Sequence, residues 1–375
     1  MISPHDHLRR MWQYNIPHQA KTHSFLMHSI LSTSAYHLYY SYASPLQWQQ
    51  EPSQAVSPID GEPILEPPFK RVSSGQTEWH IQQSNRYERF ALEQQRLAYQ
   101  TYIPSLCALT SHNQEALCAA SALLAINGLA SRQNRYCPPV LQPQHTTPID
   151  DWLEISVLVR GFDAIIQNAG TSIMDGMLQP LLRMRRVEAS SDGSGDDVET
   201  QVKRLVSPHV LSALNALLPV IDHCTSTEAD KWQLHDALRL LRASFAIVAV
   251  NPDNEGVVLV WSNLLDVQFF PLVKRREPMA LILLAYSAVM FGSYRHRWWV
   301  GGLGITILRH IAEFLTLLDE RNEEVRDERV QAGDWAQTHG LLKWYPDEAS
   351  NPTAGKAKWR ELLEWPLRES GIHDL

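Results

Sequence analysis

The sequence predicts an all-α protein, a multi-helix orthogonal or solenoid-like bundle forming a single large domain with long surface loops. Three observations carry that expectation. Apolar residues recur every three or four positions in segment after segment, the spacing of one helical face. Proline, glycine and short polar caps punctuate those segments where helices start and stop. The one β-branched run that could pass for a strand, Val257 to Val260, has no partner strand elsewhere and is read as helix.

Taken in order, the first helix spans Thr22 to Ser44, with Leu26, Ile30, Thr33, His37 and Tyr40 on one face, and Pro45 is expected to end it. Pro45, Pro52, Pro58, Pro63, Pro67 and Pro68 among Ser and Gln then mark a long surface loop near 45–75. A second helix is predicted from Gln76 to Tyr102, with Trp79, Tyr87, Phe90, Ala91, Leu97 and Ala98 inward and Pro104 as its stop. A third is expected to begin at Ser111, with Gln114 at the capping-box spacing. Its body, ALCAASALLAINGLA, has small residues on nearly every face, which predicts close packing on several neighbours and a central position.

Pro148 with Asp150 and Asp151 is a rigid helix start with acids at the positive end of the dipole. That helix carries Trp152, Ile155, Leu158, Val159, Phe162, Ile165 and Ile166, with Gly170 as a fitting cap. SSDGSGDDVE, Ser190 to Glu199, is the centre of a flexible loop near 188–203. Ser207 and Pro208 open a helix through Leu218, and Thr227 opens one marked by Leu234, Leu238, Leu241, Phe245 and Val248. Two strongly apolar helices, Val257 to Phe270 and Pro278 to Phe291, follow. After GSYRHRWWVGGLGI comes a last long helix with Ile307, Ile311, Phe314, Leu315 and Leu318 inward. The expected organisation is an N-terminal segment 1–20, a helical domain 21–320, and a charged, Trp-rich tail 321–375 packing on that domain, with Trp335, Trp344, Trp359 and Trp365.

Composition narrows function more than it defines it. The 375 residues are 44% hydrophobic and 20% charged, the profile of a chain that folds around a substantial core. A formal net charge of -8 repels a phosphate backbone, so no direct DNA contact is expected. The basic triplets Arg183, Arg185, Arg186 and Lys274, Arg275, Arg276 suit solvated helix ends. The start, MISPHDHLRRMWQYN, lacks the apolar core of a secretory signal, and the longest apolar run, Met279 to Met290, falls short of the roughly 20 residues a membrane span needs. No membrane span is expected.

Chemistry-bearing patterns are sparse. Cys107, Cys118, Cys137 and Cys224 form no CxxC pair, and His5, His7, His18, His23 and His28 make no HExxH, so no metal site and no cofactor is expected. No GxSxG elbow or P-loop occurs, and nothing commits the chain to catalysis. Gly301, Gly302 and Gly304 miss the dinucleotide fingerprint because Ile307 stands at the third glycine's place. Beside Trp298 and Trp299 those glycines either clear space for a narrow cavity or form a tight interhelix turn.

Several segments, in order, resemble the C-terminal regulatory region of fungal zinc-cluster (Zn2Cys6) transcription factors, especially the sterol uptake control group. They are HSFLMHSILSTSAYHLYY, NRYERFALEQQRLAYQTYIPSL with HNQEALCAASALLAINGLA, WLEISVLVRGFDAIIQ, and RWWVGGLGITILRHI with a closing Trp365-Pro366, together running from about Lys21 to Pro366. The resemblance implies a nuclear, all-helical module that regulates transcription in response to a sterol or other hydrophobic small molecule. The family's six-cysteine DNA-reading cluster has no counterpart in the four cysteines here, so the module is expected to act through transcription machinery or another regulator, or as a homodimer. The ligand pocket is sought around Tyr286, Met290, Trp298, Trp299, Gly302 and Ile305, where apolar walls carry few polar anchors. The other reading is a helical protein–protein scaffold with no small ligand.

Overall fold

The structure, a computed structural model, describes residues 10–47, 74–133, 147–169, 178, 198–224, 227–251, 255–332 and 359–372. These residues are predominantly helical, with no strand among them. A π-helical turn at Met11–Asn15 leads into α1 (Ile16–Ala20), then α2 (Ser24–Gln47), α3 (Ser74–Leu106), α4 (Gln114–Gln133) and α5 (Pro148–Ala169). There follow α6 (Val198–Leu205), α7 (Pro208–Asn215), α8 (Leu217–Cys224) and α9 (Glu228–Val250). A 3-10 turn at Glu255–Leu259 precedes α10 (Val260–Leu264), α11 (Phe269–Lys274), α12 (Pro278–Gly292), α13 (Leu303–Ala332), α14 (Trp359–Leu362) and α15 (Glu364–Glu369).

Helices α2 and α3 pack along their lengths, with α4 laid against both; α5 joins α4, and α12 pairs with α13. One core cluster lies around α1, the first half of α2 and the N-terminal half of α4, built from Phe25, Leu26, Ala98, Tyr102, Leu117 and Leu124. A larger one surrounds α12 and is built from Trp152, Leu238, Trp261, Phe269, Leu283, Ile307 and Ile311. Residues of α2, α4 and α5 belong to both, which joins them into one domain. The ALCAASALLAINGLA helix is buried on almost every side, since small side chains let α2, α3 and α5 approach together.

Several local expectations are corrected. α2 runs two residues past Pro45 and α3 passes through Pro104 to Leu106, because proline disturbs the turn before it while the preceding helix is already held by packing. Of the expected inward face of α2, Leu26, Thr33 and Tyr40 are buried and Ile30 half-buried, but His37 is exposed; Phe25, Ser29, Ser32 and Tyr36 complete that face. Trp79 and Phe90 are 49% and 45% exposed, so the buried face of α3 is carried by Ser84, Ala91, Gln94, Ala98 and Tyr102. Residues 111–113 form a turn and α4 starts at Gln114, with Asn113 tying that turn through Thr110 N–H (2.8 Å) and the Ala108 carbonyl (2.9 Å). α6 occupies Val198–Leu205, mostly within the stretch near 188–203 expected as loop; its Val202, and Val206 just beyond it, pack on Ala246 of α9.

The expected single helix from Val257 to Phe270 is three pieces. The chain breaks at Leu265, whose carbonyl accepts a 2.6 Å hydrogen bond from the Arg160 guanidinium, and Asp266 accepts from the Gln268 N–H at 2.8 Å. The break lets Trp261, from one piece, and Phe270, from the next, both lie 5.8 Å from Trp152. Thr227 caps α9 as expected, accepting from Asp230 N–H at 3.1 Å. Most of the expected 45–75 loop, Cys137, Gly170, Ser190 to 197, Arg183, Arg185, Arg186, Trp335 and Trp344 lie outside the described residues.

Candidate functional site

The six residues named from sequence fall at three places. Tyr286 and Met290 stand one turn apart on α12, both buried. Trp299 is buried in the turn before α13, while Trp298, half-buried, lies against α2, its ring 5.4 Å from His37 and 6.0 Å from Tyr40. Ile305 is half-buried on α13, and Gly302 is exposed with open space where a Cβ would stand.

The glycines therefore act separately, and Gly302 clears no room beside an indole. Gly301 takes φ 47, the left-handed turn conformation that glycine adopts without strain. Gly304 permits the closest approach of α12 and α13: a Cβ there would lie 2.7 Å from the Ala288 carbonyl oxygen and from Phe291 Cβ.

The most distinctive arrangement is at Tyr286. Its ring stacks on the indole of Trp365, centroids 5.0 Å apart and planes at 27°, and Phe245 of α9 meets that indole edge-on at 6.2 Å. Burial pushes the Tyr286 hydroxyl up to about 12. The Trp365 indole N–H is buried with no hydrogen-bond partner among the described residues. Trp365, Pro366, Leu363 and Ile372 all bury on the helical body, so the C-terminal segment plugs an apolar slot whose floor is α12. A buried donor without an acceptor costs about 1–3 kcal/mol, which leaves this plug less firmly held than its apolar area alone would suggest. Sequence reading noted Trp365-Pro366 but had no local signal that it would land on Tyr286.

A second constellation joins α5, the α11–α12 turn and α13. Arg276 donates to Asp150 at 2.7 Å and to Thr147 Oγ1 at 2.9 Å, and Arg275 pairs with Asp230 at 2.7 Å. Two of the three cations expected as a solvated helix end thus staple separate helices. Burial alone would raise the Asp150 carboxyl, but the Thr147 and Arg276 hydrogen bonds outweigh it and hold Asp150 below the usual carboxylate range. His310 of α13 is pushed down by burial and further by the neighbouring Arg276. Arg276 itself sits at φ 61, closing α11 with Glu277 N–H bonded to the Leu272 carbonyl at 2.9 Å, a place where glycine is usual. Arg276→Gly and Arg276→Ala both lose the Asp150 pair, and only glycine relieves the backbone. The glycine variant is expected to unfold about 1 kcal/mol later in urea than the alanine variant; equal midpoints would show that the left-handed turn carries no strain.

A polar seam between α2, α3 and α4 completes the picture. Thr33 donates to Asn127 at 2.8 Å, Ser32 to the Ala91 carbonyl at 2.9 Å, Tyr36 to Gln95 at 2.9 Å and Tyr40 to the Ala130 carbonyl at 2.6 Å. Tyr102 pairs with Ser121, and His28 with Gln94 at 2.8 Å. These groups satisfy one another and align the helices; nothing in the seam is poised as a nucleophile beside a base. Cys118 is buried, and burial drives its thiol far up, away from the reactive thiolate. A shallow open groove of about 600 Å³ beside the π-helical turn is edged by Tyr14, His18, Lys21 and Glu115, a mixed polar rim unlike the apolar slot at Tyr286. Among the described residues no group of three His, Cys, Asp or Glu is placed to hold a metal ion, and no helix is long and apolar enough to cross a membrane. Comparison with known proteins returns no matching family model, no matching curated protein and no matching solved structure.

Proposed function

We propose that this chain is the regulatory effector module of a fungal zinc-cluster-type transcription regulator, acting in the nucleus through a partner and sensing a hydrophobic, sterol-like molecule. The ordered resemblance of its helices to that family supports the regulatory half of the reading. The Trp365 plug on Tyr286 supports the ligand half. With Trp365 displaced, an apolar molecule with one hydroxyl would take its place on the Tyr286 ring and use the Tyr286 hydroxyl as its polar anchor. Such a ligand favours the state in which the C-terminal segment has left α12, and this unequal affinity for two states is the requirement for a switch.

The test is titration of purified protein with cyclodextrin-solubilised ergosterol and a panel of fungal lipids, following thermal unfolding and tryptophan fluorescence. Saturating ligand at about 100 times its Kd is expected to add roughly 2.7 kcal/mol of stability, and Trp365→Phe is expected to abolish most of the fluorescence change. Folded protein that answers none of these lipids sinks the ligand half. A second reading, a protein–protein scaffold with no small ligand, is favoured by the exposed Trp79 and Phe90, eleven residues apart on one side of α3. It predicts partner capture that is lost with Trp79→Ala and Phe90→Ala and indifferent to lipid.

A further inference from the structure

Helix α3 carries a second, separate line of exposed apolar side chains. Ile81, Leu92 and Ile103 are 44%, 49% and 58% exposed. Their eleven-residue spacing is three helical turns to within about 20°, so the three form one straight line about 33 Å long. The buried face of the same helix, through Ser84, Ala91, Ala98 and Tyr102, points elsewhere, toward α2 and α4.

Between the apolar positions the line reads Asn85, Glu88, Arg96 and Tyr99, with Glu88 and Tyr99 half-buried, and its positions pair off about Leu92. A second copy laid antiparallel with a two-fold axis at Leu92 sets Leu92 on the partner's Leu92 and Ile81 on the partner's Ile103. It sets Asn85 on the partner's Tyr99 and, above all, Glu88 on the partner's Arg96. Each exposed apolar position of the line then meets an apolar one, and Glu88 meets Arg96, twice over. A two-fold interface requires this self-complementarity, because the same patch must serve on both sides. The Arg96 guanidinium is already oriented along the surface by Glu93, at 2.6 and 2.9 Å.

We propose that α3 is the homodimer face of this protein, pairing antiparallel about Leu92. A line 33 Å long and one helix wide buries on the order of 800 Å² in total, below the usual range of stable complexes, so the dimer dissociates in the micromolar range. The proposal stands independently of any ligand.

Sedimentation equilibrium of the full chain from about 1 to 200 µM tests it, with circular dichroism to confirm that each variant is folded. Wild type is expected to move from monomer to dimer across that range. Leu92→Glu, which sets two carboxylates face to face on the axis, is expected to weaken the dimer at least tenfold; because Leu92 is exposed, the fold should be unaffected. Glu88→Arg and Arg96→Glu, each setting like charges together, are each expected to weaken it about fivefold, and the double exchange to return to within about twofold of wild type. A monomer at every concentration overturns the proposal. So does a Leu92→Glu variant that dimerises like wild type, or a double exchange no better than its singles.

Discussion

Gly304→Ala is expected to destabilise the protein by about 2–3 kcal/mol, although alanine is the better helix former by about 1 kcal/mol. The added methyl would stand 2.7 Å from the Ala288 carbonyl oxygen and from Phe291 Cβ, and one of those contacts is backbone that cannot rotate away. Relief requires α13 to move off α12, and α12 is the most deeply buried helix in the larger core. Gly302→Ala, two residues earlier, meets nothing within 4 Å and is expected to change stability by less than about 0.5 kcal/mol. Urea unfolding of the pair decides the matter. Equal midpoints would mean that α12 and α13 do not cross this closely.

Arg132→Ala is expected to cost about 3–5 kcal/mol, the larger effect of the two, because it removes the cation paired with a buried carboxylate. Asp151 is fully buried, and Arg132 reaches it with Nε at 2.9 Å while donating to the Gly128 carbonyl at 2.9 Å and pairing with Glu154. Removing both charges is a different experiment. The double variant Arg132→Met with Asp151→Leu is expected to recover most of the loss, since an apolar pair of similar volume needs no desolvation. If the double variant were as unstable as Arg132→Ala alone, packing around the guanidinium, and not the uncompensated charge, would be the cause.

These two sites show where sequence reading stops. Gly304 is conspicuous in sequence, but its clash partners come from another helix; of the two readings of the glycine run, a cavity wall or a tight interhelix turn, the structure matches the turn and adds a close helix crossing. Asp150 and Asp151 were legible as acids at a helix start. Their division of labour was not: Asp151 turns into the core toward Arg132, and Asp150 turns to Arg276, 126 residues away. Arg276 read as one cation of a solvated triplet, yet it holds a strained left-handed turn in exchange for that pair. The slot at Tyr286 was half visible. Its apolar helix was plain, while its occupant, Trp365, comes from the far end of the chain.

The sequence by itself determined that the described chain is all helix, where α5, α9 and α12 begin, and that the Ala-rich helix lies at the centre. Those properties depend on residues within about four positions of one another, through periodicity, capping and side-chain size. The tertiary structure alone decided that proline would be tolerated inside α2 and α3, that Val257 to Phe270 would break at Leu265, and that the C-terminal tryptophan would cover Tyr286. Each of these is settled by a group brought in from distant sequence, whose packing or hydrogen bond outweighs the local preference it opposes.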